Sequence, residues 1–166
     1  MIIVGVDPGY DRLGVAIVEG NVVRYSVCLS TDRQLDFASR LQQLGQSFTA
    51  LLNQHRPEAL AIEKIFLERN QKTAMMVSEV RGVICYLAGQ HGLPIFEYTP
   101  LQIKLTVTGF GRADKRQVTG MVKRLVTINQ PIKHDDEFDA IAIALTALAH
   151  TPHLALSTTR PPVVAK

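Results

Sequence analysis

Apolar residues near the start of the chain fall in runs that are typical of β-strands. Residues 2–6 form a continuous run rich in β-branched side chains, which predicts a strand buried on both faces. Two further runs, 13–18 and 22–29, are separated by Glu19-Gly20-Asn21, and Gly and Asn suit a tight turn with positive φ. The pattern therefore predicts a hairpin that extends the first strand into an antiparallel meander.

A helix and another strand follow the meander. Ser30-Thr31-Asp32 offers N-cap residues, and apolar residues then recur at helical spacing up to the break at Pro57. The apolar run 59–62 predicts a fourth strand that ends at Glu63. Because a helix separates this strand from the meander, a right-handed crossover can place it parallel to a strand already in the sheet.

The second half of the chain predicts one more strand and several helices. Gly92 and Pro94 end a long helix, and Thr99-Pro100 opens a short one with Thr as cap and Pro at the first position. The predicted elements are a helix at 73–91, a strand at 95–98, a short helix from Thr99, a flexible joint at 109–111, and helices at 114–126 and 136–150.

This order of elements predicts one α/β domain. A length of 166 residues suits a single core, and 46% hydrophobic with 20% charged residues excludes a disordered or fibrous chain. We expect the domain to cover residues 1–150, with a five-stranded mixed sheet in the order 3-2-1-4-5 flanked by helices. The proline-containing remainder, 151–166, is expected to be a flexible tail.

The sequence gives no indication of export or membrane insertion. Its start has no basic leader, and no apolar run approaches the thickness of a bilayer. Cys28 and Cys85 lie in apolar runs without a CxxC pair, which favours buried free thiols over a disulfide or zinc site. We therefore expect a cytoplasmic protein with no membrane partner.

Charge is unevenly distributed along the chain. The net charge of +3 is a weak argument for nucleic acid, but between Pro100 and Lys133 seven basic residues accompany a single acid, Asp114. This distribution predicts a positive face beside an acidic pocket, and it is equally compatible with solvated helix faces. The basic residues are Lys104, Arg112, Lys115, Arg116, Lys123, Arg124 and Lys133.

Two acids follow apolar strands directly. Asp7 ends the first strand before Pro8-Gly9, and Glu63 ends the fourth. If these strands are parallel neighbours, both side chains emerge at the edge of the sheet where α/β proteins usually bind ligands. Two carboxylates that close repel each other unless a proton or a cation separates them. The arrangement predicts a Mg²⁺ site.

Two more acids begin the last helix. Asp136 and Asp139 are three residues apart and therefore share a helix face. Four carboxylates without His or Cys partners favour Mg²⁺ or Mn²⁺ over zinc. Such a set can hold two ions roughly 4 Å apart, one activating water and the other stabilising the leaving 3′ oxygen of a phosphodiester.

Each acid also has a structural explanation. Asp7 before Pro-Gly can form an Asx turn, and Glu63 can pair with Lys64 or Lys104. Acids at 135–137 can cap a helix and complement its dipole. The functional interpretation depends on all four acids meeting at one edge of the sheet.

Several motifs in order give the chain a family resemblance. Residues 4–9 (VGVDPG), 61–66 (AIEKIF) and 136–144 (DEFDAIAIA) resemble motifs of the RuvC family of Holliday-junction resolvases, whose fold is ribonuclease H-like. Shorter matches between them are Arg81-Gly82-Val83, Phe96-Glu97-Tyr98 and Gln102-Ile103-Lys104. The resemblance covers residues 1 to about 150, and the ordered set is more specific than any single motif.

The resemblance implies a homodimer that binds a four-way junction and nicks two strands of like polarity symmetrically, in recombination and repair. Asp7, Glu63, Asp136 and Asp139 would be the catalytic acids and would bind two Mg²⁺ per active site, with Mn²⁺ as a substitute. A branch-migration helicase of the RuvAB kind is a partner inferred from the family alone.

The resemblance also implies DNA contacts. Lys104 and Lys115 match family lysines near the DNA and the active site, and Lys104 is counted with the catalytic residues. Phe66 matches an aromatic residue that stacks on unpaired bases, although a core or interface role is equally compatible with the sequence. Arg69, Lys72 and Arg112 are further candidates for phosphate contacts.

Some positions depart from the family pattern or leave alternatives open. Lys64 follows the second acid, and Glu137-Phe138 replaces small residues between the last two acids. Asp135 is four residues from Asp139 and could share its face as Asp136 does. His134 could be proposed as a general base, but a solvated loop residue is the favoured interpretation. The apolar residues 75–77 are candidates for the dimer interface or for ordinary core packing.

Two other functions compete with the nuclease. Asp7-Pro8-Gly9 followed by Gly14 resembles the phosphate loop of actin-like phosphotransferases, but a single domain lacks the second half needed to enclose ATP. A non-catalytic branched-DNA-binding protein would keep the fold and the basic face. The presence of acids at all four positions disfavours that alternative.

Overall fold

The computed structural model describes residues 1–65 and 71–150, with the backbone alone for 71–73. Its strands are β1 (Ile2–Asp7), β2 (Arg12–Glu19), β3 (Val22–Ser30), β4 (Ala59–Glu63), β5 (Ile95–Tyr98) and β6 (Thr127–Ile128). Its helices are α1 (Phe37–His55), α2 (Gln71–Gln90), α3 (Pro100–Thr108), α4 (Lys115–Leu125) and α5 (Asp135–His150). Residues 66–70 and 151–166 lie outside this description, and the predicted tail is among them.

The strands form one mixed sheet in the order β5-β4-β1-β2-β3-β6. β1, β2 and β3 pair antiparallel, whereas β4 lies parallel to β1 and β5 parallel to β4. The predicted order 3-2-1-4-5 is therefore confirmed. The predicted number of five strands is wrong, because β6 adds a short parallel pairing to β3 at Val22 and Val23. A strand of two residues is too short to show an alternating pattern in the sequence.

Helices cover both faces of the sheet, so β1 is buried on both sides as predicted. Val4 and Val6 face one core with Phe48 of α1 and Ile84 of α2. Ile3 faces the other core, which also contains apolar residues of α3, α4 and α5. Side chains that alternate along the strand thus enter two separate apolar layers. The described helices include none that is long and apolar enough to cross a membrane.

Helix α1 begins later than the sequence predicted. β3 continues to Ser30, and Asp32 accepts a hydrogen bond from the backbone of Gln34 at 2.9 Å, which forms a local turn. The N-cap of α1 is Asp36, whose Oδ1 accepts a hydrogen bond from Ser39 N at 3.0 Å. The prediction of the cap at residues 30–32 is therefore wrong, since those residues complete the strand and the turn.

Helices α3 and α4 both begin with capping boxes. Thr99 is the predicted cap of α3 and exchanges hydrogen bonds with Gln102, and Asp114 does the same with Gln117 of α4. Gly109 ends α3 at a φ of 74°, which favours glycine. The predicted flexible joint at 109–111 is a hydrogen-bonded turn, because the Thr108 hydroxyl contacts both backbone polar atoms of Phe110.

Candidate active site

Asp7 and Glu63 lie side by side at one edge of the sheet. β1 and β4 are parallel neighbours with Val6 opposite Ile62, so the next residue of each strand is an acid. The backbone N–H of Lys64 donates to the carbonyl of Tyr98 at 2.8 Å, which holds the end of β4 to β5. The predicted pairing of the two strand ends is confirmed.

Helix α5 crosses the sheet in direct contact with two glycines. A Cβ atom placed on Gly5 would lie 2.2 Å from the carbonyl oxygen of Ala140, and one on Gly14 would lie 2.2 Å from that of Asp136. Gly14 also pairs directly with Asp7 across β1 and β2. Gly14 brings the first turn of α5 to the strand ends, and Gly5 allows the following turns to pack directly on β1. Glycine within an otherwise β-branched strand is the signal that sequence reasoning left unused.

Three of the four predicted acids share one pocket with two predicted lysines. The pocket between the sheet edge, α3, α4 and α5 is lined by Asp7, Glu63, Asp139, Lys104 and Lys115, together with apolar side chains. Its walls are largely apolar, so solvent screens the charged groups only in part. The pocket therefore brings acidic and basic side chains together in one cavity.

Each carboxylate in this pocket destabilises the ionised form of its neighbours. Burial, then repulsion by Glu63, Asp139 and Asp136, raises the pKa of Asp7 to about 7, although Lys115 opposes the shift. The pKa of Glu63 is also raised, first by burial and then by Asp139, with Lys104 acting in the opposite direction. A cation bound between these groups would favour their ionised forms.

Asp139 is held by Lys115. Lys115 Nζ lies 3.0 Å from Oδ2 of Asp139 and 3.7 Å from Oδ2 of Asp135. Burial raises the pKa of Asp139, and the lysine only partly offsets that effect. Partial burial by itself lowers the pKa of Lys115, but its hydrogen bond to Asp139 and the charges of Asp139, Asp135 and Asp136 together outweigh burial and leave the pKa above its usual value. The lysine therefore occupies the pocket as a charged group.

Asp136 is directed to the neighbouring strands instead of the shared pocket. Its Oδ2 accepts a hydrogen bond from Sγ of Cys28 at 3.6 Å and lies 3.8 Å from Nη1 of Arg12. Burial and the charge of Asp136 raise the pKa of the Cys28 thiol to about 11. The convergence expected of four side chains is thus seen for three. Sequence reasoning missed Arg12 as a partner, since residues distant along the chain gave no signal for this contact.

Exposure separates the two candidates for the third acid. The side chain of Asp136 is 26% exposed and its charge acts on Asp7, whereas that of Asp135 is 73% exposed. Asp135 faces the solvent, with its Oδ2 3.7 Å from Nζ of Lys115. The geometry favours Asp136, in agreement with the spacing of the motif.

The donor chemistry of the pocket fits a hard divalent cation. Within residues 1–65 and 71–150, no three Asp, Glu, His or Cys side chains already form a set of metal ligands. Lys115 and Arg12 hold Asp139 and Asp136 in ion pairs, which a bound cation would replace. The available ligands are carboxylate oxygens that repel each other, and such ligands suit Mg²⁺ or Mn²⁺.

Other predicted residues have more varied positions. Phe66 and Arg69 lie outside the described residues, and nothing is described of the Lys72 side chain. Arg112 is exposed on the turn before α4, outside the acidic pocket. His134 is exposed, as expected for a solvated loop.

Two further predictions concern packing, and a new contact joins two of the shorter motifs. Cys28 and Cys85 are free thiols, as predicted, but each is only half-buried. Arg81 and Glu97, which belong to two of the shorter motifs, form an ion pair. Met75 is 62% exposed, and the two residues after it are half-buried. The packing of 75–77 is thus compatible with an interface, and that assignment stays a prediction.

Comparison with known proteins identifies the family. A model of the crossover junction endodeoxyribonuclease RuvC family matches residues 3–147. The RuvC proteins of Thermosipho melanesiensis and Pelotomaculum thermopropionicum are 42% and 43% identical over 87% and 90% of this chain, and each match covers 94% of the relative.

Solved structures agree with the sequence relatives. The RuvC of T. thermophilus in complex with a Holliday junction substrate has a TM-score of 0.84 and 29% identity, over 93% of this chain and 96% of that one. The yeast mitochondrial Holliday junction resolvase Ydc2, at 15% identity and a TM-score of 0.68, shares the fold. From its ribonuclease H-like fold and its similarity along nearly the whole described length, this chain belongs to the RuvC family of crossover junction endodeoxyribonucleases.

Proposed function

We propose that the chain resolves Holliday junctions by divalent-metal-dependent hydrolysis of one phosphodiester in each of two symmetric strands. The observation that carries the proposal is the pocket at the sheet edge, where Asp7, Glu63 and Asp139 face Lys104 and Lys115. Family membership supports the choice of substrate, because the relatives are named for crossover junction cleavage.

The acids of this edge would hold the metal. Asp7, Glu63, Asp136 and Asp139 supply carboxylate oxygens, and two Mg²⁺ ions, or Mn²⁺ in their place, are the proposed occupants. When bound, the metal supplies Lewis acidity, which activates water and stabilises charge on the leaving 3′ oxygen. Asp7 is central to this assignment, since all three other acids raise its pKa.

The two lysines bind the phosphate group that is cut. The side chain of Lys115 is 53% exposed and hydrogen-bonded to Asp139, so its ammonium group is held at the mouth of the pocket. Lys104 is half-buried on α3, and its charge partly opposes the rise in the pKa of Glu63. Both cations can contact phosphate oxygens and offset the negative charge that the acids present to DNA.

The DNA interface extends from this pocket over basic residues. Arg112 precedes α4 and is exposed, which suits a contact to the phosphate backbone. Phe66, Arg69 and Lys72 are proposed to contribute base stacking and further phosphate contacts. Symmetric nicks need two active sites, so we propose a homodimer, with the exposed side of α2 around Met75 as its interface. A branch-migration helicase is a proposed partner of the dimer.

The first experiment compares a labelled four-way junction with a linear duplex of the same sequence, each with Mg²⁺ or with EDTA. The proposal predicts paired, symmetric nicks in the junction, lost in EDTA and absent from the duplex. Tight junction binding without nicks in Mg²⁺ or Mn²⁺ would support the non-catalytic alternative. ATP binding in place of both activities would support the phosphotransferase alternative.

A further inference from the structure

The residue between the two acids of α5 is a buried carboxylate that takes no part in the chemistry described above. Glu137 is 4% exposed. Because successive helix residues are rotated by about 100°, its side chain points away from the face that Asp136 and Asp139 share. Glu137 faces β3 and the segment that precedes α5.

Three donors satisfy the carboxylate of Glu137. Its Oε1 accepts hydrogen bonds from the backbone N–H groups of Lys133 at 3.0 Å and His134 at 3.1 Å. Its Oε2 accepts one from the hydroxyl of Ser26 at 2.6 Å. A buried carboxylate without donors is strongly unfavourable, whereas hydrogen bonds to a charged acceptor are among the stronger ones in proteins. These contacts therefore fix the loop before α5 to its first turn.

Gln130 connects the same loop to the sheet. Its Nε2 donates to the carbonyl oxygen of Ser26 at 2.8 Å and to its hydroxyl oxygen at 2.9 Å. Ser26 is 5% exposed. Strand β3, the loop 129–134 and the start of α5 are consequently tied together by one buried hydrogen-bond network, and networks of this kind select a single arrangement when every member is satisfied.

The network lies next to Asp136, the predicted acid that does not line the pocket. Cys28 is two residues beyond Ser26 on the same face of β3, and its thiol donates to Asp136. Two side chains on the same face of β3 thus contact two consecutive residues of α5, Glu137 and Asp136. A shift or rotation of this first turn would move Asp136 and Asp139 together.

We propose that Glu137 is a positioning residue that sets the direction of the two metal-binding acids of α5. It acts through the loop and β3 and does not touch the substrate or the metal. The inference rests on the proposed function, since it assumes that Asp136 and Asp139 bind metal. It assigns a role to a side chain that replaces a small residue of the family pattern.

The test is a titration of the full chain with Mn²⁺ in the absence of DNA. The electron paramagnetic resonance signal of free Mn²⁺ measures how much of the ion is bound. Glu137→Ala removes the acceptor, and Glu137→Gln is the matched control, because its amide oxygen can still accept both backbone hydrogen bonds and its amide nitrogen can donate to Ser26. We expect Glu137→Ala to weaken Mn²⁺ binding about tenfold, whereas Glu137→Gln stays within about threefold of the unsubstituted chain.

Ser26→Ala provides a milder variant if Glu137→Ala does not fold, as judged by circular dichroism. It removes one donor and should weaken Mn²⁺ binding by about threefold. A folded variant of either kind with lower thermal stability but unchanged Mn²⁺ affinity would overturn the inference, because that is the result of a purely structural role. Junction cleavage by the unsubstituted chain in the same preparation tests the proposed function separately.

Discussion

The acidic edge of the sheet has two halves that are built differently. Asp7 and Glu63 extend directly from paired, buried strands, so the register of β1 and β4 alone brings them together. Asp136 and Asp139 are carried by a helix, and their ion pairs with Arg12 and Lys115 direct them to different sides. The strand acids are positioned by backbone pairing, whereas the helix acids depend on how α5 is packed and anchored.

The strand acids are therefore distinguished by their charge repulsion, and the helix acids by their dependence on packing contacts. Within the part of the chain that the structure describes, neither strand acid forms an ion pair of its own, and the pKa of Asp7 is raised to about 7. The helix acids form ion pairs with Arg12 and Lys115. Their positions depend on the contacts of α5 with Gly5 and Gly14 and on the hydrogen bonds between Glu137 and the loop before the helix. Changes at the strand half should therefore alter charge and metal binding, and changes beneath the helix half should alter geometry.

The largest expected effect is at Asp136. Asp136→Asn should lower the cleavage rate more than about 100-fold while junction binding stays within about twofold, because the substitution removes a metal ligand and leaves the phosphate contacts intact. Asp135→Asn is the matched control and should cut normally, since that side chain is 73% exposed. Single-turnover cleavage and a binding titration measure both quantities. Normal cutting by Asp136→Asn would contradict the assignment.

A smaller effect is expected where α5 rests on the sheet. Gly14→Ala places a Cβ atom against the backbone of Asp136, and overpacking of this kind destabilises proteins by about 1–3 kcal/mol. Cleavage should fall with stability, because the displaced turn carries two of the acids. Gly120→Ala, in α4 with open space around the site, should be neutral or stabilising by about 0.5–1 kcal/mol. Urea unfolding compares the two, and equal free energies of unfolding would refute the close contact.

A further expected effect is a dependence of stability on pH in the metal-free protein. The pKa of Asp7 rises from the ordinary value of 3.8, which applies to the unfolded chain, to about 7 in the folded chain. Below pH 4 both states bind the proton, and the contribution is fully present. As pH rises towards 7 the unfolded chain loses the proton first, so the free energy of unfolding falls.

Asp7→Asn isolates this contribution. The melting temperature of the variant should exceed that of the unsubstituted chain by an amount that grows between about pH 4 and pH 7 and is constant above it. Added Mg²⁺ should stabilise only the unsubstituted chain at neutral pH. A difference in melting temperature that does not change with pH would show that folding does not raise the pKa of Asp7.

The sequence predicted the strand half of the site better than the helix half. The apolar runs that end in Asp7 and Glu63 predict both the strands and the positions of the acids. The helix between the meander and β4 predicted the parallel pairing of β1 and β4. The direction of Asp136 depends on Arg12 and Cys28, which are more than 100 residues away along the chain and belong to no local pattern.

Short or long-range features were also beyond sequence reasoning. β6 has two residues, so no periodicity could reveal it. The buried contact of Glu137 with Ser26 was not foreseen, whereas its hydrogen bonds from the backbone of Lys133 and His134 agree with the capping role considered for residues 135–137. The late start of α1 at Asp36 shows the same limit, since several nearby residues could serve as its cap.

The most direct test of the metal-dependent active site is single-turnover cleavage of a four-way junction as Mg²⁺ is titrated, with the unsubstituted chain and Asp7→Asn. We expect saturable, Mg²⁺-dependent cleavage by the unsubstituted chain and a loss of more than about 100-fold in the variant, with junction binding retained in both. Cleavage by Asp7→Asn at the same rate and the same Mg²⁺ dependence would contradict the account.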